Sequence, residues 1–97
     1  MLTKKELEST EGLIMVDFHA EWCGPCKTLG PILEQVSKEE HVKLIKVNVD
    51  ENNELSSEYG VRGIPTVLFF KNGECKEKNV GMMPKARVLS ILQTLKI

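Results

Sequence analysis

The sequence predicts an α/β fold: a mixed central sheet of about four strands flanked by helices, with residues 1–97 forming one domain. Three observations predict it. Apolar runs of strand length alternate with segments whose apolar residues recur at helical spacing, the pattern of parallel strands joined by helices. The dipeptide Asn72-Gly73 lies between two late strand-like segments and favours a tight hairpin, which makes one side of the sheet antiparallel. A chain of 97 residues can bury one hydrophobic core but not two.

Each element has its own local signal. Thr3 caps a short helix through about Glu8, and Glu6 stands where a capping box needs it. Leu13 to Ala20 is an almost unbroken apolar run, which reads as a strand buried on both faces. From Pro25 the spacing turns helical, with Leu29, Ile32, Leu33 and Val36 as the core-facing stripe. Pro31 inside that stripe is expected to kink the helix, because proline lacks an N–H and its ring crowds the preceding turn. Val42 to Val49 reads as a second strand and Glu51 to Tyr59 as a short polar helix. Thr66 to Phe70, rich in β-branched and aromatic residues, reads as a third strand. Beyond the hairpin, Glu74 to Val80 is heavily charged, as an exposed edge strand should be. Pro84 suits the first turn of a last helix whose buried stripe is Val88, Ile91, Leu92 and Leu95. Met82-Met83-Pro84 offers that helix only a weak cap.

Composition removes several classes of function. Thirteen basic against fourteen acidic side chains give a net charge of -1, so no electrostatic footprint favours nucleic acid or an anionic membrane. No apolar run approaches the length of a bilayer span. Met1 to Glu8 is charged and lacks the apolar core of an export signal, so a cytoplasmic location is expected. Three cysteines, an odd number, argue against an extracellular disulfide framework.

The chemistry concentrates in Trp22-Cys23-Gly24-Pro25-Cys26, where the first long strand passes into a helix. Two thiols at that spacing and junction can form a disulfide and open again, which reads as redox catalysis. A thiolate is the attacking species, and Cys23 stands at the helix start beside free N–H groups and the positive end of the dipole. Cys23 is therefore the nucleophile. Cys26, one turn further in, is the resolving thiol and is expected to be the less exposed of the two. Zinc is the chemical alternative, but beyond the pair only Cys75, His19 and His41 are available, and none of these pairs with another at ligand spacing. No metal site is expected.

Asp17 lies in the middle of the apolar strand, where burying an ionised carboxylate is costly and its pKa should rise. An acid held near neutrality suits proton transfer to or from a thiol. Lys46, in the neighbouring strand, is the expected partner charge, and a purely structural Asp17–Lys46 pair is the competing reading.

Two segments then carry a family resemblance. Val16-Asp17-Phe18-His19-Ala20-Glu21-Trp22-Cys23-Gly24-Pro25-Cys26-Lys27 resembles the active-site signature of the thioredoxin family with one substitution. Tyr59-Gly60-Val61-Arg62-Gly63-Ile64-Pro65-Thr66 resembles that family's second signature, and Asn72-Gly73 and Val80-Gly81 also fall in place. The resemblance covers nearly everything from Leu13 to Ile97. It implies a thioredoxin-like fold and a protein-disulfide reductase, with Cys23 attacking, a mixed disulfide forming and Cys26 releasing the reduced substrate. It implies that Asp17, with Lys46 beside it, is the acid/base serving Cys26, and that Pro65 is a cis proline facing the Cys pair. It maps an apolar substrate surface onto Trp22, Gly24, Pro25, Val49, Ile64, Pro65, Val80, Gly81 and Met82. The implied partners are disulfide-containing proteins and a flavin-containing thioredoxin reductase drawing on NADPH or ferredoxin. No bound cofactor is implied, and a monomer is expected.

The sequence departs from the family pattern in places. His19 replaces the usual tryptophan and by alternation shares a face with Asp17, so it is expected to pack near Cys26 or hydrogen-bond Asp50. The segment before the first helix leaves no room for the extra strand most relatives carry, so four strands are expected. Met82 is suited to widening the apolar contact surface, because methionine adapts to varied partners. Cys75 lies outside the motif, and burial as a small hydrophobe is its ordinary fate, although sharing a face with Glu77 hints at partial exposure. The rival class is a thioredoxin-like binding subunit of a larger assembly, which loss of either cysteine would signal. A dedicated oxidase or isomerase would carry a different dipeptide between the cysteines.

Overall fold

A computed structural model describes residues 1–97. The elements are α1 (Lys4–Glu8), β1 (Leu13–His19), α2 (Gly24–Glu40), β2 (Lys43–Asn48), α3 (Asn53–Glu58), β3 (Thr66–Lys71), β4 (Glu74–Val80) and α4 (Lys85–Lys96). The four strands form one sheet in the order β2-β1-β3-β4, with β1 parallel to β2 and the other two pairings antiparallel. The expected mixed sheet and its strand count are both present.

Local chemistry explains most of the boundaries. The Thr3 hydroxyl accepts from the Glu6 N–H, and the Glu6 carboxylate accepts from the Thr3 N–H, so the capping box closes α1. α2 runs without a break through Pro31. It stops at His41, whose φ of 55° is left-handed. β2 and α3 are each shorter than the sequence suggests. The Asn52 side chain accepts from the Leu55 N–H and starts α3 there, leaving residues 49–52 as a turn. Pro84 precedes α4 as its cap residue rather than standing in its first turn, and no side chain caps that helix.

Alternation along β1 divides the core. Ile14, Val16 and Phe18 face one way, with Leu7, Leu55, Leu68 and Phe70. Met15 faces the other way, among Leu29, Leu33 and Val36 of α2, Val88 and Leu92 of α4, and Phe69. A fully buried Leu or Phe of this kind contributes about 1.5–3 kcal/mol. Asp17 shares the Met15 face, so a carboxyl occupies a row that burial otherwise stabilises.

β4 pairs only with β3, and all its residues except Asn79 are exposed. Cys75 is consequently exposed, not the buried hydrophobe its type suggests, because no second layer covers this edge. A bulge between Phe69 and Phe70 sets Cys75 opposite Phe70 and Glu77 opposite Phe69.

The β3–β4 hairpin is tied to the start of β1. The Asn72 N–H donates to the Gly12 carbonyl at 3.1 Å, and the Asn72 side-chain oxygen accepts from the Gly12 N–H at 2.9 Å. Asn72 and Gly73 have φ of 50° and 84°, the left-handed pair of a tight hairpin turn. A Cβ on Gly73 would overlap the Glu8 carbonyl, whereas one on Gly12, at the same φ of 84°, meets open space. Gly73→Ala is therefore expected to cost about 3 kcal/mol and Gly12→Ala only about 1 kcal/mol, compared by urea unfolding. Equal losses would show that the contact with Glu8 does not limit this turn.

Candidate active site

The site forms where β1 hands the chain to α2. The Cys23 N–H donates to the Ala20 carbonyl at 3.2 Å, closing the turn. Cys23 is the N-cap of α2, its sulfur accepting from the Cys26 N–H at 3.2 Å, while Gly24 and Pro25 form the first helical positions and stay exposed. Cys23 and Cys26 are joined as a disulfide, with Cα atoms 5.3 Å apart. The expectation that Cys26 is the more sheltered does not hold: Cys23 is 4% and Cys26 6% exposed. The disulfide pins both sulfurs under one group of side chains, Ala20, Val49 and Ile64, so their exposures nearly match.

An apolar rim surrounds the pair. Trp22 is 71% exposed, and its Nε1–H donates to the Asp50 carboxylate at 2.8 Å. Of the two expectations for His19, the bond to Asp50 is not formed, and the place near Cys26 is the one that fits, since both side chains line one cleft. The Ile64–Pro65 peptide bond is cis, and the Pro65 carbonyl accepts from the Gly81 N–H at 2.7 Å. Thr66 and Val80 are register partners, so Ile64, Pro65, Val80 and Gly81 come together. Val80 and Met82 are exposed, Gly81 is half-buried and Pro65 is buried.

Behind the disulfide lies a polar cleft of about 290 Å³, lined by Asp17, His19, Cys26, Glu34 and Lys46 among others. Asp17 is 1% exposed, and its Oδ1 has no hydrogen-bond partner. Burial pushes its pKa above the ordinary value of 3.8, against the opposing charges of His19 and Lys46 and with a smaller push from Glu34. Asp17 and Lys46 are register partners across β1 and β2. The Lys46 ammonium nevertheless turns outward and pairs with the Glu34 carboxylate, not with Asp17. An exposed carboxylate is the cheaper partner, because pairing with it leaves the lysine in water.

Sequence reasoning did not find Glu34. The signal was present in the four-residue spacing of Cys26, Gly30 and Glu34, which places all three on one face of α2 and along one wall of the cleft. No three His, Cys, Asp or Glu side chains gather in a way that would hold a metal ion.

The family model described as Thioredoxin matches residues 3–94. The thioredoxin of Rickettsia felis is 50% identical over 88 residues, covering 89% of this chain and 84% of that protein. The thioredoxin of Bacillus subtilis is 48% identical over 80 residues, covering 80% of this chain and 77% of that protein. Among solved structures, a mutant thioredoxin from Halobacterium salinarum superposes with a TM-score of 0.86 at 36% identity, covering 92% of this chain and 79% of that one.

The raised pKa of Asp17 makes stability depend on pH. A group whose folded-state pKa lies above its unfolded value favours folding below the unfolded value and loses that contribution as pH climbs through the folded one. The chain should thus lose stability as pH rises from 3.8 through the raised Asp17 value. Asp17→Asn removes this dependence, and its stability advantage over the parent should grow across that window and then level off. Urea unfolding at a series of pH values checks it, and parallel curves for the two proteins would contradict it.

Proposed function

The chain belongs to the thioredoxin family, and on that footing we propose how its residues divide the work of a protein thiol–disulfide oxidoreductase. Residues 1–97 act as one domain, and the observation that carries the reading is the Cys23–Cys26 disulfide at the start of α2. In the reduced protein the first-turn N–H groups and the helix dipole favour the Cys23 thiolate. That thiolate attacks a substrate disulfide, forming a mixed disulfide and releasing one substrate thiolate, which takes a proton from water. The Cys26 thiol then gives its proton to the Asp17 carboxylate. The Cys26 thiolate attacks the Cys23 sulfur, closing the disulfide and expelling the second substrate thiolate.

The location of Asp17 supports its role as acid/base: it is buried, has a free oxygen and lines the same cleft as Cys26. Lys46 acts at one remove, because its charge reaches Asp17 while its ammonium is bound to Glu34. Trp22, Gly24, Pro25, Val49, Ile64, Pro65, Val80, Gly81 and Met82 receive the substrate chain in an extended form against the backbone beside Pro65. Exposed Trp22, Val80 and Met82 support this reading. The oxidoreductase works through its own cysteines and needs no bound cofactor. Electrons come from a thioredoxin reductase, flavin-containing and fed by NADPH or ferredoxin, and the protein serves as a monomeric electron carrier in the cytoplasm.

Reduction of insulin by dithiothreitol, with and without catalytic amounts of the chain, tests the assignment. The chain should accelerate the reaction, and Cys23→Ser should abolish the acceleration. Cys26→Ser should accumulate a covalent mixed disulfide through Cys23, visible by mass spectrometry. Acceleration that survives Cys23→Ser would overturn the reading.

A further inference from the structure

The proton that Asp17 takes from Cys26 either stays on the buried carboxyl until the disulfide is reduced again or passes to water, and a path to water frees Asp17 within the same half-reaction. Asp17 itself is 1% exposed, so little solvent reaches it directly. Lys46, its register partner, holds its ammonium against Glu34 and away from Asp17. The side chain placed between the two environments is His19. It stands two residues beyond Asp17 on the same face of β1, is half-buried, and lines the cleft that Asp17 and Cys26 also line.

We propose that His19 is a positioning and proton-relay residue, carrying the proton between the Asp17 carboxyl and solvent. The proposal rests on the reading of Asp17 as the acid/base for Cys26. Imidazole suits the task because each ring nitrogen can donate or accept, and because imidazoles change charge between about pH 5 and 8. In the closing half of the reaction, the Cys26 S–H bond breaks and its proton binds an Asp17 oxygen. The neutral His19 ring then takes that proton, restoring the Asp17 carboxylate. The resulting imidazolium releases it to water at the cleft mouth, from which the departing substrate thiolate is protonated. The two electrons remain with the sulfurs, the Cys23 and Cys26 thiols being oxidised as the substrate disulfide is reduced. Reduction of the Cys23–Cys26 disulfide by a dithiol runs the same relay backwards.

Charged groups of both signs line the cleft with His19. Glu21 comes from the β1–α2 turn, Lys27 and Glu34 from α2 and Lys46 from β2, besides Asp17 on β1 itself. Both signs are present, so neither protonation state of the ring lacks a counter-charge in the cleft. The tryptophan usual here in the family has an indole N–H that donates only and cannot pass a proton on.

The test uses the full chain and insulin reduction by dithiothreitol at low buffer concentration. His19→Gln and His19→Ser should each slow turnover about tenfold near pH 7, and added imidazole should restore the rate in proportion to its concentration. The parent should not respond to imidazole. Asp17→Asn should be slow and unrescued, and adding His19→Gln to it should change little. Either His19 variant running at the parent rate with the parent pH profile, or slowed without responding to imidazole, overturns the relay. If Asp17→Asn also keeps the parent rate, the acid/base reading falls with it, whereas an impaired Asp17→Asn beside an unimpaired His19→Gln removes the relay alone. Should the His19 variants not fold, carbethoxylation of the unsubstituted chain by diethyl pyrocarbonate decides. Modification located at His19 by mass spectrometry should slow turnover until hydroxylamine removes it, and a chain modified at His19 that runs at the parent rate overturns the proposal.

Discussion

The site depends on one constraint: β1 is enclosed on every side and ends abruptly. β2 and β3 bond both of its edges, and both of its faces are covered. A strand so fixed cannot tilt or slip, so its last residues aim reproducibly at the next element. That element is α2, with Cys23 as the capping residue of its N-terminus. The disulfide is placed by the sheet, and the free N–H groups that favour a thiolate come with the helix. The same enclosure creates the second property of the site. Alternation on β1 forces Asp17 into the apolar layer beneath α2, where no donor reaches Oδ1. The place of the disulfide and the buried carboxyl are both consequences of one strand's burial.

Much of this was legible in the sequence. The apolar run from Leu13, the helical stripe through Leu29, Leu33 and Val36, and the Asn72-Gly73 turn each announce a local structure that tertiary packing then reinforces. The redox pair was legible because its spacing and its place between strand and helix agree. What the sequence did not resolve depends on distances between elements. Lys46 stands opposite Asp17 in the register, yet the direction of a long, flexible side chain is decided by the nearest carboxylate in water, which α2 supplies as Glu34. His19 could have packed near Cys26 or bonded Asp50, and only the structure shows it lining the cleft with Cys26 while Trp22 donates to Asp50. The relative exposure of Cys23 and Cys26 was misjudged for a related reason. Helix position alone ranks Cys26 as deeper, whereas the disulfide holds both sulfurs under Ala20, Val49 and Ile64. For Cys75, residue type pointed to burial and its place on a charged strand to exposure, and the uncovered edge decides for exposure.

The cleft behind the disulfide gives the charges distinct tasks. Glu34 and Lys46 satisfy each other at the solvent side, leaving Asp17 as the interior acid with a raised pKa. A carboxyl fully neutralised by a buried ammonium would stay ionised and be a poor acceptor of a thiol's proton at neutral pH. Lys46, pulling on Asp17 without bonding it, leaves the carboxyl with a raised pKa, as the proposed exchange with a thiol requires. On the proposed division of work, the apolar rim on the other side of the disulfide keeps substrate binding apart from proton handling.

The mechanism therefore turns on whether Asp17 is a high-pKa acid in communication with Cys26. The most direct measurement is the pH titration of the Asp17 carboxyl carbon by 13C NMR in the oxidised and reduced chain. The mechanism predicts a titration above the ordinary aspartate value of 3.8 that shifts when Cys23 and Cys26 are reduced, because a titrating thiol then shares the cleft. An Asp17 that titrates at the ordinary value, or one indifferent to the redox state of the pair, would contradict it.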